Sequence, residues 1–442
     1  MKYLLILFIL IKTTIYAQQE WSLENCINYA IQHNPNILAQ KTSLKIDSIN
    51  LQTYRLDRLP QIDFSLNQGY QLGDTYNVST GVGQKQSSYT SFNLSAQMIL
   101  FNGFYKKYQI SHQKKMQQKD YYQYEDAKWQ LKWDIINSYF QVLYEQENLS
   151  NIEFLITQQK EQIKILDKLH KQHYKPVEDI LSAQIDLKNL ELQKQQTQQQ
   201  KDIYLQKLAD LLYIPPHKLK LKSDLQTLQN ITDTSNIQLD NLYHLKKLSQ
   251  EIELLEAEKQ MEKSKRLPKI FFNYSFGSNY YHILGREDLI YNQEIGNYEP
   301  NGLWEQFNNN RIQYLGIGLN IPIFDGLKIK NNIKELDYKK QIAQYNYQNE
   351  KQKTIGIFNQ LLNEINIALE QYNIQKEIYK LTEKNYNIKK EKYLKNIIPY
   401  AEWQQTINNY HQSKTKVLQA KYTLFLKQEI FDRLYLNLLS RP

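Results

Sequence analysis

The sequence predicts a mixed α and β membrane protein. Long antiparallel helices of coiled-coil type adjoin a few strands that must share a β-barrel with other chains, all laid out as an internal two-fold repeat. Three observations carry this reading. Glycine is confined almost wholly to two windows, each window holds two stretches of alternating apolar and polar residues, and the segments outside them follow a helical pattern.

Glycine and proline weaken helix interiors and gather where a chain turns or pairs as strand. Of the 13 glycines, 12 fall within 69–103 or 277–326, and the exception is Gly356. The windows also share their borders. Arg58-Leu59-Pro60-Gln61-Ile62 and Arg266-Leu267-Pro268-Lys269-Ile270 open them, and Ile99-Leu100-Phe101-Asn102-Gly103 and Pro322-Ile323-Phe324-Asp325-Gly326 close them. Both borders recurring in the same order mark a duplication with a period of about two hundred residues. The mature chain then divides into repeats over 18–225 and 226–442.

Period-two alternation is the signature of a strand with unlike faces. Ile62, Phe64 and Leu66 alternate with Asp63, Ser65 and Asn67, and Phe92, Leu94, Ala96 and Met98 alternate with Ser91, Asn93, Ser95 and Gln97. The second window repeats this at Ile270, Phe272, Tyr274 and Phe276, then at Leu315, Ile317, Leu319 and Ile321. Strands are expected over about 61–73, 89–101, 269–282 and 311–324, long enough to cross a bilayer at a tilt. Four strands are too few to close a barrel, which takes about eight, and an open edge in lipid leaves backbone groups unpaired at a cost of several kcal/mol each. Several chains must therefore contribute to one barrel. The alternative is an ordinary half-buried sheet in a soluble domain.

Outside the windows, one unbroken helix is expected over 104–173 and another over 327–396, each about 100 Å long at 1.5 Å per residue. Shorter helices flank them over 22–57, 177–213, 240–265 and 399–438. Two short helices end to end match one long helix. Pro176 and Pro399 mark the turns at which each long helix gives way to its successor, so these hairpin tips form the end farthest from the strands.

Lys2 precedes an apolar run over 4–11, and Ala17 offers a cut site, so 1–17 reads as a secretory signal peptide. No later run reaches the roughly eighteen apolar residues of a membrane helix, so any membrane crossing must use strands. Cys26 is the single cysteine and can form no disulfide within the chain. Mean hydropathy is −0.66 despite 35 tyrosines, a balance suited to thin helices that bury only a stripe. The formal charge of +9 falls by two with the signal peptide, and no nucleic acid partner is expected of an exported chain. There is no glycine-rich phosphate loop, cysteine pair or nucleophile–histidine set, so no enzyme, cofactor or metal is expected. His170 and His173 stand three apart on a helix but have no third ligand nearby.

The opening run Trp21-Ser22-Leu23-Glu24-Asn25-Cys26-Ile27-Asn28-Tyr29-Ala30, followed by His33-Asn34-Pro35, resembles the first helix of the TolC-type outer-membrane efflux protein family. The Arg-Leu-Pro and Phe-Asn-Gly or Phe-Asp-Gly borders resemble that family's strand boundaries. The likeness covers nearly all of the mature chain and lies in the order, duplication and spacing of the motifs. It implies an outer-membrane channel of a Gram-negative bacterium, serving a tripartite efflux or type I secretion system. It also implies a homotrimer whose three protomers give four strands each to a β-barrel in outer-membrane lipid and together form a coiled-coil tunnel in the periplasm. The implied partners are a periplasmic adaptor (membrane fusion) protein and an inner-membrane pump of the RND, ABC or MFS type.

That family narrows its periplasmic end with a segment reading Tyr-x-x-Gly-x-Arg and an acidic return helix. The matching run here is Tyr393-Leu394-Lys395-Asn396-Ile397-Ile398-Pro399-Tyr400-Ala401-Glu402-Trp403-Gln404-Gln405. Tyr393 matches the lock tyrosine and Glu402 the first ring carboxylate. Asn396 stands in place of the glycine, Ile398 of the arginine and Gln405 of the second carboxylate, so the residues for an arginine lock and a doubled acidic ring are missing. In the first repeat, Tyr174-Lys175-Pro176-Val177-Glu178-Asp179-Ile180 forms the equivalent turn, with Asp179 aligned to the family's acidic partner. The resemblance thus implies a periplasmic constriction of Asp179, Tyr393, Glu402 and Gln405, and adaptor contact at Pro176, Val177, Asn396, Ile397 and Pro399. Read without it, Glu402 and Asp179 are first-turn acids of the kind the helix dipole favours.

Tyr70, Tyr89, Tyr274, Tyr280 and Tyr314 border strands and suit aromatic girdles, whereas Tyr121, Tyr122 and Tyr124 suit helix packing. Loops 75–88 and 284–310 are expected outside the cell, as a plug of the mouth, a surface for phage and antibodies, or plain solvated chain. The rival reading is a soluble periplasmic coiled-coil adaptor or scaffold, which leaves the paired strands unexplained.

Overall fold

The computed structural model describes residues 20–73, 75–77, 82–84, 86–223, 239–395 and 397–435. The expected signal peptide over 1–17, the expected boundary between the repeats at 225/226 and Asn396 lie outside the described residues. In chain order the elements are β1 (Glu20–Trp21), α1 (Leu23–His33), α2 (Pro35–Leu56), β2 (Gln61–Gln71), β3 (Thr75–Asn77), β4 (Val82–Gln84), β5 (Ser87–Asn102), α3 (Tyr105–Lys171), α4 (Val177–Leu212) and β6 (Lys220–Leu221). There follow α5 (Tyr243–Ser264), β7 (Lys269–Ile283), β8 (Leu289–Asn292), β9 (Asn297–Pro300), α6 (Leu303–Asn309), β10 (Ile312–Asn320), α7 (Lys328–Leu394) and α8 (Tyr400–Leu434). The chain divides into two compact units, one within Met1–Ser43, Asp120–Lys247 and Tyr347–Pro442, the other within Leu44–Lys119 and Leu248–Asn346, and α2, α3, α5 and α7 each contribute residues to both.

The second unit holds a four-stranded antiparallel sheet in the order β10-β7-β5-β2. Its register sets like against like. Phe64 faces Leu94, which faces Phe276, and Ile62, Ala96, Tyr274 and Leu315 form a second row. Because side chains alternate along a strand, Asp63, Ser95 and Ser275 line up on the opposite face. Ile62, Phe64, Leu66, Leu315 and Ile317 on the apolar face are well exposed. β10 ends at Asn320, short of the expected 324, because Pro322 has no N–H to donate and restricts Ile321 before it.

Both strand-to-helix junctions use the same device. Gly103 and Phe104 are consecutive left-handed residues (φ 65° and 66°), as are Gly326 and Leu327 (φ 66° and 63°). The residue before each glycine caps the long helix that follows. Asn102 Oδ1 accepts from Lys106 N at 3.3 Å, and the Asp325 carboxylate accepts from Leu327 N and Ile329 N at 3.0 and 2.8 Å. The Phe-Asn-Gly and Phe-Asp-Gly borders are therefore a helix cap joined to a left-handed turn. Around them the helices of this unit are joined by partly exposed polar pairs such as Lys115–Glu253 (2.5 Å) and Lys340–Glu256 (2.8 Å), each worth about 0–1 kcal/mol.

The first unit holds the main core. Cys26 and Ala30 of α1, Ile135 and Ile136 of α3, Leu208 and Leu212 of α4, and Leu424 and Phe431 of α8 are fully buried together, and burial of each larger side chain contributes about 1.5–3 kcal/mol. β1 and β6 pair in parallel beside it, with the Tyr139 hydroxyl 3.0 Å from Trp21 O. The single helix expected over 22–57 is two, because Asn34 is extended (φ −67°, ψ 121°), as a residue before proline must be. Its side chain uses the break, accepting from Asn36 N at 3.0 Å and donating to Leu211 O at 3.1 Å.

Candidate functional site at the hairpin tips

Both proline turns belong to the first unit. After α3, His173 passes through the left-handed region (φ 61°) and His170 Nδ1 lies 2.8 Å from Lys175 O. After α7, Lys395 N and Ile397 N close back on Glu391 O and Lys392 O. Pro176 and Pro399 then cap α4 and α8 with nearly the same angles, φ −72° and ψ 160° against φ −70° and ψ 161°.

α7 and α8 run antiparallel along seams with a seven-residue spacing. On α7, Phe358, Leu361, Ile365 and Ala368 occupy the seam far from the turn; nearer the turn the recurring residues are Tyr372, Tyr379, Tyr386 and Tyr393. α8 answers with Trp403 and Tyr410. Tyr379 stacks on Tyr410 at 5.5 Å, Tyr386 lies 4.7 Å from Tyr410 and 5.1 Å from Trp403, and Tyr393 stacks on Trp403 at 5.5 Å with planes 12° apart. Aromatic pairs of this kind add about 0.5–1.5 kcal/mol each beyond burial.

Tyr393 is 4% exposed and clusters with Leu166, Ile180, Ala183, Ile398, Tyr400 and Trp403, so residues of α3, α4, α7 and α8 meet around it. Its hydroxyl accepts from Gln162 Nε2 at 3.0 Å, and the Lys175 ammonium stands 5.1 Å from its ring centre. Burial, with the negative charge of Asp179 nearby, pushes the Tyr393 phenol up to about 12 against the opposing Gln162 bond. Gln159 Nε2 donates to Ala183 O at 2.9 Å and lies 3.3 Å from the Tyr400 hydroxyl, which donates to Gln404 Oε1 at 2.9 Å. The polar ties from α3 to α7 and α8 here are thus neutral hydrogen bonds, each with a net worth of about 0.5–1.5 kcal/mol.

Asp179 sits half-buried in the first turn of α4; burial raises its carboxyl pKa, Lys175 opposes this, and Glu178 adds to it. Glu402 is exposed in the first turn of α8, and Lys389 Nζ lies 3.0 Å from its Oε1. Gln405 is exposed, as are Pro176, Val177, Ile397 and Pro399. A groove of about 630 Å³ lies between the two hairpins, bordered by Gln158, Gln162, Asp186, Asn408, His411 and Lys414. Burial, with Lys414 adding to it, pushes the His411 imidazole down to about 4.

The structure brings Tyr393 and Asp179 together and gives Glu402 a cation. Sequence reasoning missed Gln159, Gln162, Lys389 and Trp403. The tyrosine row was there to be found in its seven-residue spacing; the Lys389–Glu402 pair was not, since it depends on how far the hairpin runs before it turns.

The outer membrane efflux protein family matches residues 26–212 and 236–429 of this chain. No curated protein sequence matches it. Among solved structures, the CmeC outer membrane channel of Campylobacter jejuni is similar with a TM-score of 0.78 at 16% identity, over 93% of this chain and 86% of that one. The outer membrane protein VceC of Vibrio cholerae gives 0.72 at 13% identity, over 93% and 95%. The open state of the MtrE outer membrane channel of Neisseria gonorrhoeae gives 0.73 at 14% identity, over 94% and 88%. At these identities the likeness is one of fold, and kinship rests on the family match, which spans both halves of the chain and leaves the soluble adaptor or scaffold reading without support. The chain belongs to the outer membrane efflux protein family, as an export channel of the outer membrane rather than an enzyme.

Proposed function

We infer that the chain is one protomer of a homotrimeric export duct, opened at its periplasmic tips by an adaptor (membrane fusion) protein and an inner-membrane pump that supplies the energy. The observation that carries this reading is the β10-β7-β5-β2 sheet. Among the described residues its two outer strands have a free edge each, and one face is apolar where the other is polar. Such a sheet is stable in lipid only when further strands close it. An even number of strands per copy keeps the pairing antiparallel when β10 of one copy meets β2 of the next, and three copies give twelve strands. The apolar face then meets outer-membrane lipid, and the polar face lines a water-filled lumen.

The mature protein begins after the signal peptide over 1–17 and consists of repeats over 18–225 and 226–442. At the tips, Asp179, Glu402 and Gln405 from three copies ring the narrowest point, while Tyr393 holds α7 to α3 from within through Gln162. The exposed side chains of Val177 and Ile397, with Pro176, Asn396 and Pro399, form the adaptor contact. The pump is of the RND, ABC or MFS type. Single-channel conductance of the purified protein in a planar bilayer tests the duct. Discrete openings from a detergent-requiring oligomer are expected, and a detergent-free monomer without conductance would overturn the reading.

A further inference from the structure

Loop 284–311, between β7 and β10, has a structure of its own, the hairpin β8–β9 followed by α6. It is fastened along the end of β7. Ser278 Oγ donates to Phe307 O at 2.7 Å, Gln306 exchanges two hydrogen bonds with the backbone of Tyr281 at 3.0 and 3.1 Å, and Asn310 Nδ2 donates to Asn279 O at 2.8 Å. β10 pairs with β7 only as far as Gly277, so the Gln306 and Asn310 amides take over edge groups that β10 does not reach. Farther along, Asp288 accepts from the Tyr280 hydroxyl at 2.8 Å and lies 3.0 Å from His282 Nδ1.

The side of the sheet on which this happens is set by alternation. Ser278, Tyr280 and His282 stand on the same face of β7 as Phe276, and the register places Ser278 opposite Phe92. That is the apolar face. The rings agree: Phe276 to Phe92 is 5.8 Å, Phe92 to Phe307 is 5.5 Å, and Phe307 to Trp304 is 6.3 Å. An unbroken aromatic row therefore leads off the apolar face onto α6 and ends at Trp304, which is 75% exposed.

We propose that α6 is a lipid anchor, with Trp304 seated in the interfacial layer of the outer leaflet and the loop held against the lipid-facing wall rather than across the mouth. The proposal rests on the sheet being part of a membrane barrel, as inferred above. In such a barrel the apolar face points to lipid, and Trp304 lies at the strand ends remote from α5 and α7. There the apolar ring and single N–H of tryptophan suit the headgroup level. A loop covering the mouth would have to fold toward the polar face that bears Asn93, Ser95 and Ser275, whereas every tie named here lies on the apolar face or along the β7 edge.

The test is intrinsic fluorescence of the full protein reconstituted in phosphatidylcholine vesicles whose acyl chains are brominated near the headgroup, compared with Trp304→Phe. The other tryptophans, Trp21, Trp129, Trp133 and Trp403, belong to the other compact unit, and the difference between the two proteins isolates Trp304. Expected is a Trp304 signal quenched by the brominated lipid and poorly by aqueous acrylamide. Quenching by acrylamide alone would put the loop in water, and quenching by neither would bury Trp304 against a second copy; either result overturns the anchor. Flotation of the protein with the vesicles is read in parallel. If the protein floats and Trp304 is not quenched by lipid, only the anchor fails; if it does not float, the barrel reading fails first.

Discussion

Lys389 Nζ lies 3.0 Å from Glu402 Oε1, across the turn that joins α7 to α8. Both groups are partly exposed, so the pair adds at most about 1 kcal/mol to stability. Its effect is on charge, because each Glu402 in the proposed ring carries its own cation. Replacing Lys389 with Gln should leave the thermal midpoint nearly unchanged and raise cation preference in single-channel recordings. Glu402→Gln should lower it. Selectivity indifferent to both changes would remove this pair from the conduction path.

Gln162 and Gln159 tie α3 to Tyr393 and Tyr400 by neutral hydrogen bonds. Losing both should cost the closed arrangement about 2 kcal/mol, which is roughly thirty-fold in the ratio of open to closed channel. The double variant Gln159→Leu with Gln162→Leu is expected to open spontaneously far more often in bilayer recordings at an unchanged unit conductance. An unaltered open probability would show that the gate is held elsewhere.

Gly103 and Gly326 share a left-handed backbone but not their surroundings. A Cβ on Gly103 would meet Ser264 O at 2.6 Å and Leu267 Cβ at 2.5 Å, whereas one on Gly326 has nothing within 4 Å. Both alanine variants bear the left-handed penalty of about 1–2 kcal/mol, and only Gly103→Ala adds a clash with backbone. Its thermal midpoint should fall clearly further than that of Gly326→Ala. Equal shifts would mean that the chain around Ser264 yields freely.

His411 titrates at about 4 in the folded chain against an ordinary 6.5. Above pH 6.5 the ring is neutral in folded and unfolded chains alike. Between 6.5 and about 4 only the unfolded chain takes up the proton, so stability present above 6.5 is lost as pH falls through that window. Burial raises the Asp186 carboxyl, which acts in the opposite sense, so the comparison that matters is with His411→Gln. The variant should lack a pH-dependent loss of at most about 3 kcal/mol, measured by denaturant unfolding at several pH values. Parallel curves would place His411 in contact with solvent.

Strands and long helices were legible because alternation, glycine distribution and proline turns are local properties, and β2, β5, β7 and β10 lie within a few residues of where alternation puts them. The division of the first helix at Asn34 was less plain, since helical spacing continues on both sides of Pro35. At the tips, the positions of Tyr393 and Glu402 could be read from the chain. Their partners Gln162 and Lys389 could not, because a contact between helices depends on the offset at which they pair. The course of loop 284–311 was hidden for a similar reason: whether Phe307 turns toward Phe92 or away is settled by the face to which Gln306 and Asn310 bind, and no periodicity within the loop records it.

The sheet order β10-β7-β5-β2 gives each copy two unlike edges, and a ring built from such pieces is sealed only when every edge is sound. A chain with a spoiled β10 edge keeps its β2 edge and can still take a place beside a healthy neighbour. In a cell that makes sound and spoiled copies in equal amounts, only about one ring of three in eight would be free of a defect. Mutations at this edge should therefore behave as dominant alleles, even though each removes a function and adds none.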